Sequence, residues 1–140
     1  MKKDHIIFSI GRIQYKANSL LTRELKAHHI KGLAPSHGEI LGSLMVRGPL
    51  PMSEIARIID KDKSTITALV NKLIKLGYVE KKKHSADNRI SLISLTAKGT
   101  ALKADFQHIA QKLRVQSYKD ISDDERETLV RLLNKLSKNL

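Results

Sequence analysis

The sequence predicts a mainly helical α+β domain carrying one small β-hairpin, on three observations. Apolar residues recur at three-and-four spacing along most of the 140 residues, the pattern of helices with one buried stripe. The period changes to that of strands once, between residues 78 and 96. Capping and breaking signals punctuate the chain at short intervals and leave no linker, repeat or low-complexity segment, so the length fits one compact domain.

The first helix runs from Ile6 to about His29 on the stripe Ile6, Ile10, Ile13, Ala17, Leu20, Leu21 and Leu25. Lys31 to Pro35 break it, and Ser36 with Glu39 reads as a capping box for a second helix through about Met45. Gly48, Pro49 and Pro51 close that helix. A short third helix spans Met52 to about Ile59, with Ile55, Ala56 and Ile59 turned inward. After Asp60-Lys61, Asp62 is placed to cap a fourth helix from Lys63 to Leu76, buried on Ile66, Leu69, Val70, Leu73 and Ile74. Gly77 supplies the positive φ expected beyond a helix end. Tyr78–Lys83 and Ile90–Thr96 then form the hairpin around His84–Arg89. A fifth helix follows from about Lys98 to Tyr118 on Leu102, Phe106, Ile109 and Leu113. Ser122 and Glu125 make a capping box for the sixth, whose stripe is Leu129, Leu132, Leu133, Leu136 and Leu140.

With 41% hydrophobic and 29% charged residues the chain can bury a core. Twenty-six Lys and Arg against fourteen Asp and Glu give a net charge of +12, the balance of a polyanion binder. The absence of cysteine excludes a disulfide framework, thiolate metal sites and a thiol redox switch. No apolar run approaches the roughly 18 residues of a membrane span, and Met1 to His5 do not resemble a secretory signal. A cytoplasmic protein, neither exported nor inserted, is the expectation. The positive excess is five charges in residues 1–49, five in 50–99 and two in 100–140.

A short helix, a tight turn, a second helix and a basic hairpin together describe a winged helix-turn-helix, in which the second helix enters a major groove and the hairpin reaches the adjoining backbone or minor groove. The outward face of that helix carries Ser64, Thr67, Ala68, Asn71, Lys72 and Lys75, with Thr65 at its edge and Lys63 at the helix start. Short hydroxyl and methyl groups allow close approach to base edges, Asn71 suits an adenine edge, and lysines neutralise phosphates. A solvated polar face is the competing reading. On the hairpin, Lys81 and Lys83 add phosphate-binding charge, although a lysine run alone also describes a solvated face. Arg89 suits a narrow minor groove. Asp87 would repel phosphate, so its expected role is to hold Arg89 by a charge-assisted hydrogen bond; an exposed pair worth under about 1 kcal/mol is the alternative. Ser36 and Ser53, at the starts of the second and third helices, complete the predicted DNA-binding set.

The stretch from Ser53 to Gly99 resembles the DNA-binding core of the MarR family of bacterial and archaeal transcriptional regulators. The resemblance rests on Ser53-Glu54-Ile55-Ala56, Asp62-Lys63-Ser64-Thr65-Ile66-Thr67, Leu73 to Glu80, Asp87-Asn88-Arg89 and Leu95-Thr96-Ala97-Lys98-Gly99, in that order and at the family's spacing. It implies a winged helix-turn-helix core over 33–97 and a helical dimerisation region over 1–32 and 98–140. It also implies a homodimer joined by the first, fifth and sixth helices, repression at an inverted-repeat operator in double-stranded DNA, and release by a small ligand. Asp60 and Lys61 depart from the family's usual Gly and apolar residue, Ala68 from a long polar residue, and Asn88 from a second arginine. Independently, the two amphipathic terminal regions lie outside the small core and need a partner for their apolar faces, which a two-fold dimer provides.

Of the six histidines, none pairs with another at helical spacing of three or four, so no metal site and no cofactor is expected. A zinc-responsive repressor is the weaker alternative. His37 is a candidate either for phosphate contact or for a cleft between the first, second and fifth helices that would take a small aromatic or lipophilic effector. No phosphate loop, nucleophile elbow or carboxylate pair suggests an enzyme. An architectural, sequence-indifferent DNA binder would explain the charge but not the ordered helices and wing.

Overall fold

The computed structural model describes residues 3–140; Met1 and Lys2, part of the start read for a secretory signal, lie outside the described residues. Helices α1 (Ile6–Ala27), α2 (Pro35–Arg47), α3 (Met52–Ile59) and α4 (Lys63–Lys75) are followed by a hairpin of β2 (Val79–Lys83) and β3 (Ser91–Leu95). A single turn α5 (Ala97–Thr100) then leads into α6 (Lys103–Ser117) and α7 (Asp123–Lys138). The hairpin belongs to a three-stranded antiparallel sheet of order β1-β3-β2, in which β1 is Leu50–Pro51. Its register sets Leu50 and Lys81 opposite Ile93 and Val79 opposite Leu95. The sequence hid β1 because it is two residues long and ends in proline, which an edge strand tolerates.

Local chemistry explains most of the boundaries. Asp62 caps α4 by accepting the Thr65 amide at 2.7 Å, and Gly77 leaves the helix at φ +86°. Ser122 and Glu125 exchange hydrogen bonds at the start of α7. The start of α2 differs from expectation. Pro35 begins the helix one residue before Ser36 with its φ already preset, and His37 makes the cap in place of a Ser36–Glu39 box: its Nδ1 accepts the Ala34 N–H at 3.0 Å. The predicted fifth helix is broken into α5 and α6. Thr96 caps the first turn by accepting the Gly99 amide at 3.2 Å, and Leu102 N–H tightens back to the Gly99 carbonyl before α6 begins.

The fully buried side chains Ile40, Leu41, Leu44, Ile55, Ile66, Val70, Leu73, Val79 and Ile93 come from α2, α3, α4 and the sheet. This is one core beneath the helix-turn-helix. The outer helices are different: Ile6, Phe8, Ile13, Leu129, Leu132 and Leu133 are exposed in the single chain, and among the described residues α7 buries none. Among the described residues no helix is long and apolar enough to cross a membrane.

Candidate nucleic-acid interface

The buried stripe Ile66, Val70 and Leu73 fixes the roll of α4 and leaves Lys63, Ser64, Thr65, Ala68, Asn71, Lys72 and Lys75 exposed. Thr65 and Thr67 exchange the places expected of them. Thr65 is open, whereas Thr67 is half-buried and its hydroxyl donates to the Lys63 carbonyl at 2.8 Å. Ser64 Oγ donates to Asp62 Oδ1 at 2.9 Å, so both hydroxyl protons are committed while the oxygens retain accepting capacity. Hydrogen bonds from the backbone and side chain of Thr65, and from Ser64, hold the Asp62 carboxyl below the ordinary aspartate range and keep the cap charged. The preceding turn is made by Asp60 in the left-handed region, φ 57° and ψ 52°, which explains why a glycine suits this place; aspartate is among the few other residues that adopt it readily. Ser53 is exposed in the first turn of α3, and Ser36 is half-buried in the first turn of α2.

On the wing, alternation along β2 puts Lys81 and Lys83 on the side of Val79, and Glu80 and Lys82 on the other. Glu80 pairs with Lys82 at 3.2 Å, leaving Lys81 and Lys83 as exposed charges. The tip is closed by the His84 amide donating to the Ile90 carbonyl at 2.8 Å. Within it the Arg89 guanidinium grips Asp87 with two bonds, Nε to Oδ1 and Nη2 to Oδ2, each 3.1 Å. The Arg89 amide adds a third at 3.0 Å. These bonds, then the charge of His84, hold the Asp87 carboxyl below its ordinary range. The Arg89 side chain nevertheless remains 90% exposed, so it is oriented without being buried.

An apolar groove of about 350 Å³ lies between α1, α2 and α6, walled by Leu21, Leu25, Met45, Val46, Phe106 and Leu113, with Glu39, Lys103 and Gln107 at its polar margin. Gly38 and Gly42 open its α2 wall. His37 is not among its lining residues. It is buried beneath α2 as the cap already described, and burial followed by the charge of Lys72 pushes it below the ordinary imidazole value. This corrects the expectation of a phosphate or cleft contact: an Nδ1 that accepts the Ala34 amide is spent on the fold.

Sequence spacing missed a polar cluster that only packing brings together. His28 Nδ1 lies 2.7 Å from Asp105 Oδ1 and its Nε2 lies 3.8 Å from Glu24, while the His108 ring meets it edge-on at 5.1 Å. Lys112 bonds Glu24, so α1 and α6 are tied by charge across 77 and 88 residues of sequence. Among the described residues no group of three or more His, Asp or Glu is placed to hold a metal ion.

The MarR family model matches residues 31–90, from the α1–α2 loop through the wing tip. The multiple antibiotic resistance protein MarR of Salmonella typhimurium is 26% identical over 132 residues, covering 93% of this chain and 92% of that one. A mutant MarR from E. coli complexed with operator DNA superposes with TM-score 0.78 at 25% identity, covering 91% and 89% of the two chains. At 19% identity, the fold alone is shared with Bordetella bronchiseptica BpsR, whose structure concerns regulation of DNA binding by 6-hydroxynicotinic acid; the TM-score is 0.81, over 96% and 94%. With its helix-turn-helix, its wing and these relatives, the chain is similar to the MarR family of winged-helix transcriptional regulators, the family model covering the winged core.

Proposed function

We propose that this protein is a ligand-responsive repressor that binds an inverted-repeat operator as a homodimer, with α4 in the major groove and the wing at the minor groove. The observation that carries this is the pairing of an exposed, small and basic α4 face with an Arg89 held ready at the wing tip by Asp87. Ser64, Thr65, Thr67 and Asn71 would meet base edges. Lys63, Lys72, Lys81, Lys83 and the helix starts at Ser36 and Ser53 would meet phosphates, and Arg89 would enter the minor groove.

Two copies are needed to cover the exposed leucines of α7 and the apolar residues of α1, and a two-fold pair matches an inverted repeat. The α1–α2–α6 groove joins these helices to the winged core. Its apolar walls fit a small aromatic or lipophilic effector that would change how far apart the two α4 helices stand. The proposed setting is cytoplasmic.

Selection of bound fragments from random duplexes, repeated with candidate aromatic acids, tests the proposal. An enriched inverted repeat, released by an added acid, is the expected result. Enrichment of no sequence would sink the regulator in favour of an architectural DNA binder, and enrichment without release by any lipophile would remove the effector.

A further inference from the structure

By charge Lys98 belongs with the basic residues of the middle third, and its side chain is exposed. Its geometry separates it from them. Lys98 Nζ donates at 2.7 Å to the carbonyl of Leu76, the residue that closes α4, and sits 4.6 Å from the centroid of the buried Tyr78 ring. The last carbonyls of a helix lack intrahelical donors and carry its negative pole, so an ammonium there both satisfies an acceptor and neutralises the dipole.

Two neighbours fix the same place. Thr96 Oγ1 donates to the Gly77 carbonyl at 2.5 Å while accepting the Gly99 amide. Gly99 approaches so closely that a Cβ there would lie 2.1 Å from the Tyr78 carbonyl oxygen. The end of α4 is therefore clamped to the head of α5. Asp62 anchors the other end, so the residues between, Ser64 to Asn71, are held at both ends.

We propose that Lys98 is a positioning residue for DNA reading, acting through the C-terminal end of α4 and not by touching phosphate. The proposal rests on α4 being the recognition helix. Base-edge hydrogen bonds need a fixed helix pose, whereas phosphate contacts tolerate small displacements because they carry no sequence information. Releasing the Leu76 carbonyl to water loosens the last turn and degrades base reading first.

The test compares wild type, Lys98→Met and Lys98→Arg on the inverted-repeat duplex recovered by selection and on an unrelated duplex, across a salt series. The active fraction is fixed by stoichiometric titration and the melting temperature is recorded. Lys98→Met should weaken binding to the inverted repeat by about tenfold, the loss of one charged hydrogen bond. It should leave the unrelated duplex unchanged and keep the slope of log affinity against log salt. Lys98→Arg, which retains a donor, should restore the preference. A slope shallower by about 0.9 in Lys98→Met would make Lys98 a phosphate contact and overturn the proposal. So would an affinity per active molecule equal to wild type, which would leave only a contribution to folding. If wild type itself does not prefer the inverted repeat, the recognition-helix reading fails, and the Lys98 proposal with it.

Discussion

The winged core and the terminal helices solve the same problem, an apolar stripe that must leave water, in opposite ways. Residues 35–95 bury their stripes within one chain, so that Ile40, Ile55, Ile66, Leu73 and Ile93 are all but inaccessible. The second half of α1, together with α6, joins that core through Leu20, Leu25 and Ile109, but the start of α1 and all of α7 stay open: Leu129, Leu132 and Leu133 are 42%, 45% and 39% exposed, and Ile13 is 65% exposed. The polar chemistry divides too. In the core, hydrogen bonds hold the ends of α4 and the wing tip through Asp62, Asp87 and Thr96; at the outer seam, Glu24, His28, Asp105 and Lys112 join helix to helix. The difference teaches that the core is built to hold a shape, while the outer helices leave apolar faces that the proposed dimer would cover.

The largest expected effect separates these roles. Leu133→Glu should abolish dimerisation in analytical ultracentrifugation and weaken operator binding by about 100-fold or more, since the second half-site loses its tethered reader. The same variant should retain the near-native fold of α2 to β3. An unchanged sedimentation coefficient would break the comparison.

Ile66→Ala should act in the converse way. Emptying a fully buried site beneath α4 should cost about 2–4 kcal/mol in urea unfolding while the remaining folded protein still dimerises. Arg89→Ala, at an exposed position, should weaken operator affinity by about tenfold with no change in melting temperature. An equal loss of stability would return Arg89 to the fold.

A pH series sharpens the boundary between the regions. Folded His37 binds its proton only below the ordinary imidazole value, so the unfolded chain carries more protons as pH falls through that range. The contribution is fully present above about pH 6.5 and declines as pH drops towards the folded value. His37→Asn, which can still accept the Ala34 amide, should flatten the fall in stability between pH 7.5 and 5 measured in urea. A slope identical to wild type would contradict the burial of a neutral ring.

The smallest effect concerns the groove. A Cβ at Gly42 meets nothing within 4 Å, so Gly42→Ala should stabilise α2 by up to about 1 kcal/mol through helix propensity. It should also weaken any lipophile that fills the groove, read by calorimetry with an aromatic acid.

Much of this was legible in the sequence because the signals were local. Asp62, Gly77 and the Ser122–Glu125 pair act over three or four residues, and Asp87 and Arg89 are two apart, so their partners could be named in advance. Failures came where two signals competed or where the partner is remote. Pro35 outweighed Ser36 as the start of α2, and Thr65 is more open than Thr67 on α4. Residues Leu50–Pro51 became a strand only because Ile93 offered an edge. The His28 cluster and the Lys98–Leu76 bond join residues 77 and 22 apart, and no periodicity brings such pairs together.

The central claim is that two winged cores, fixed relative to one another by the outer helices, read one inverted repeat. Inserting five base pairs between the half-sites turns one about 180° from the other on the duplex. The account predicts two chains per duplex at the selected spacing and a loss of about 100-fold in affinity after insertion. Equal affinity for both duplexes would show that the cores bind independently and would contradict it.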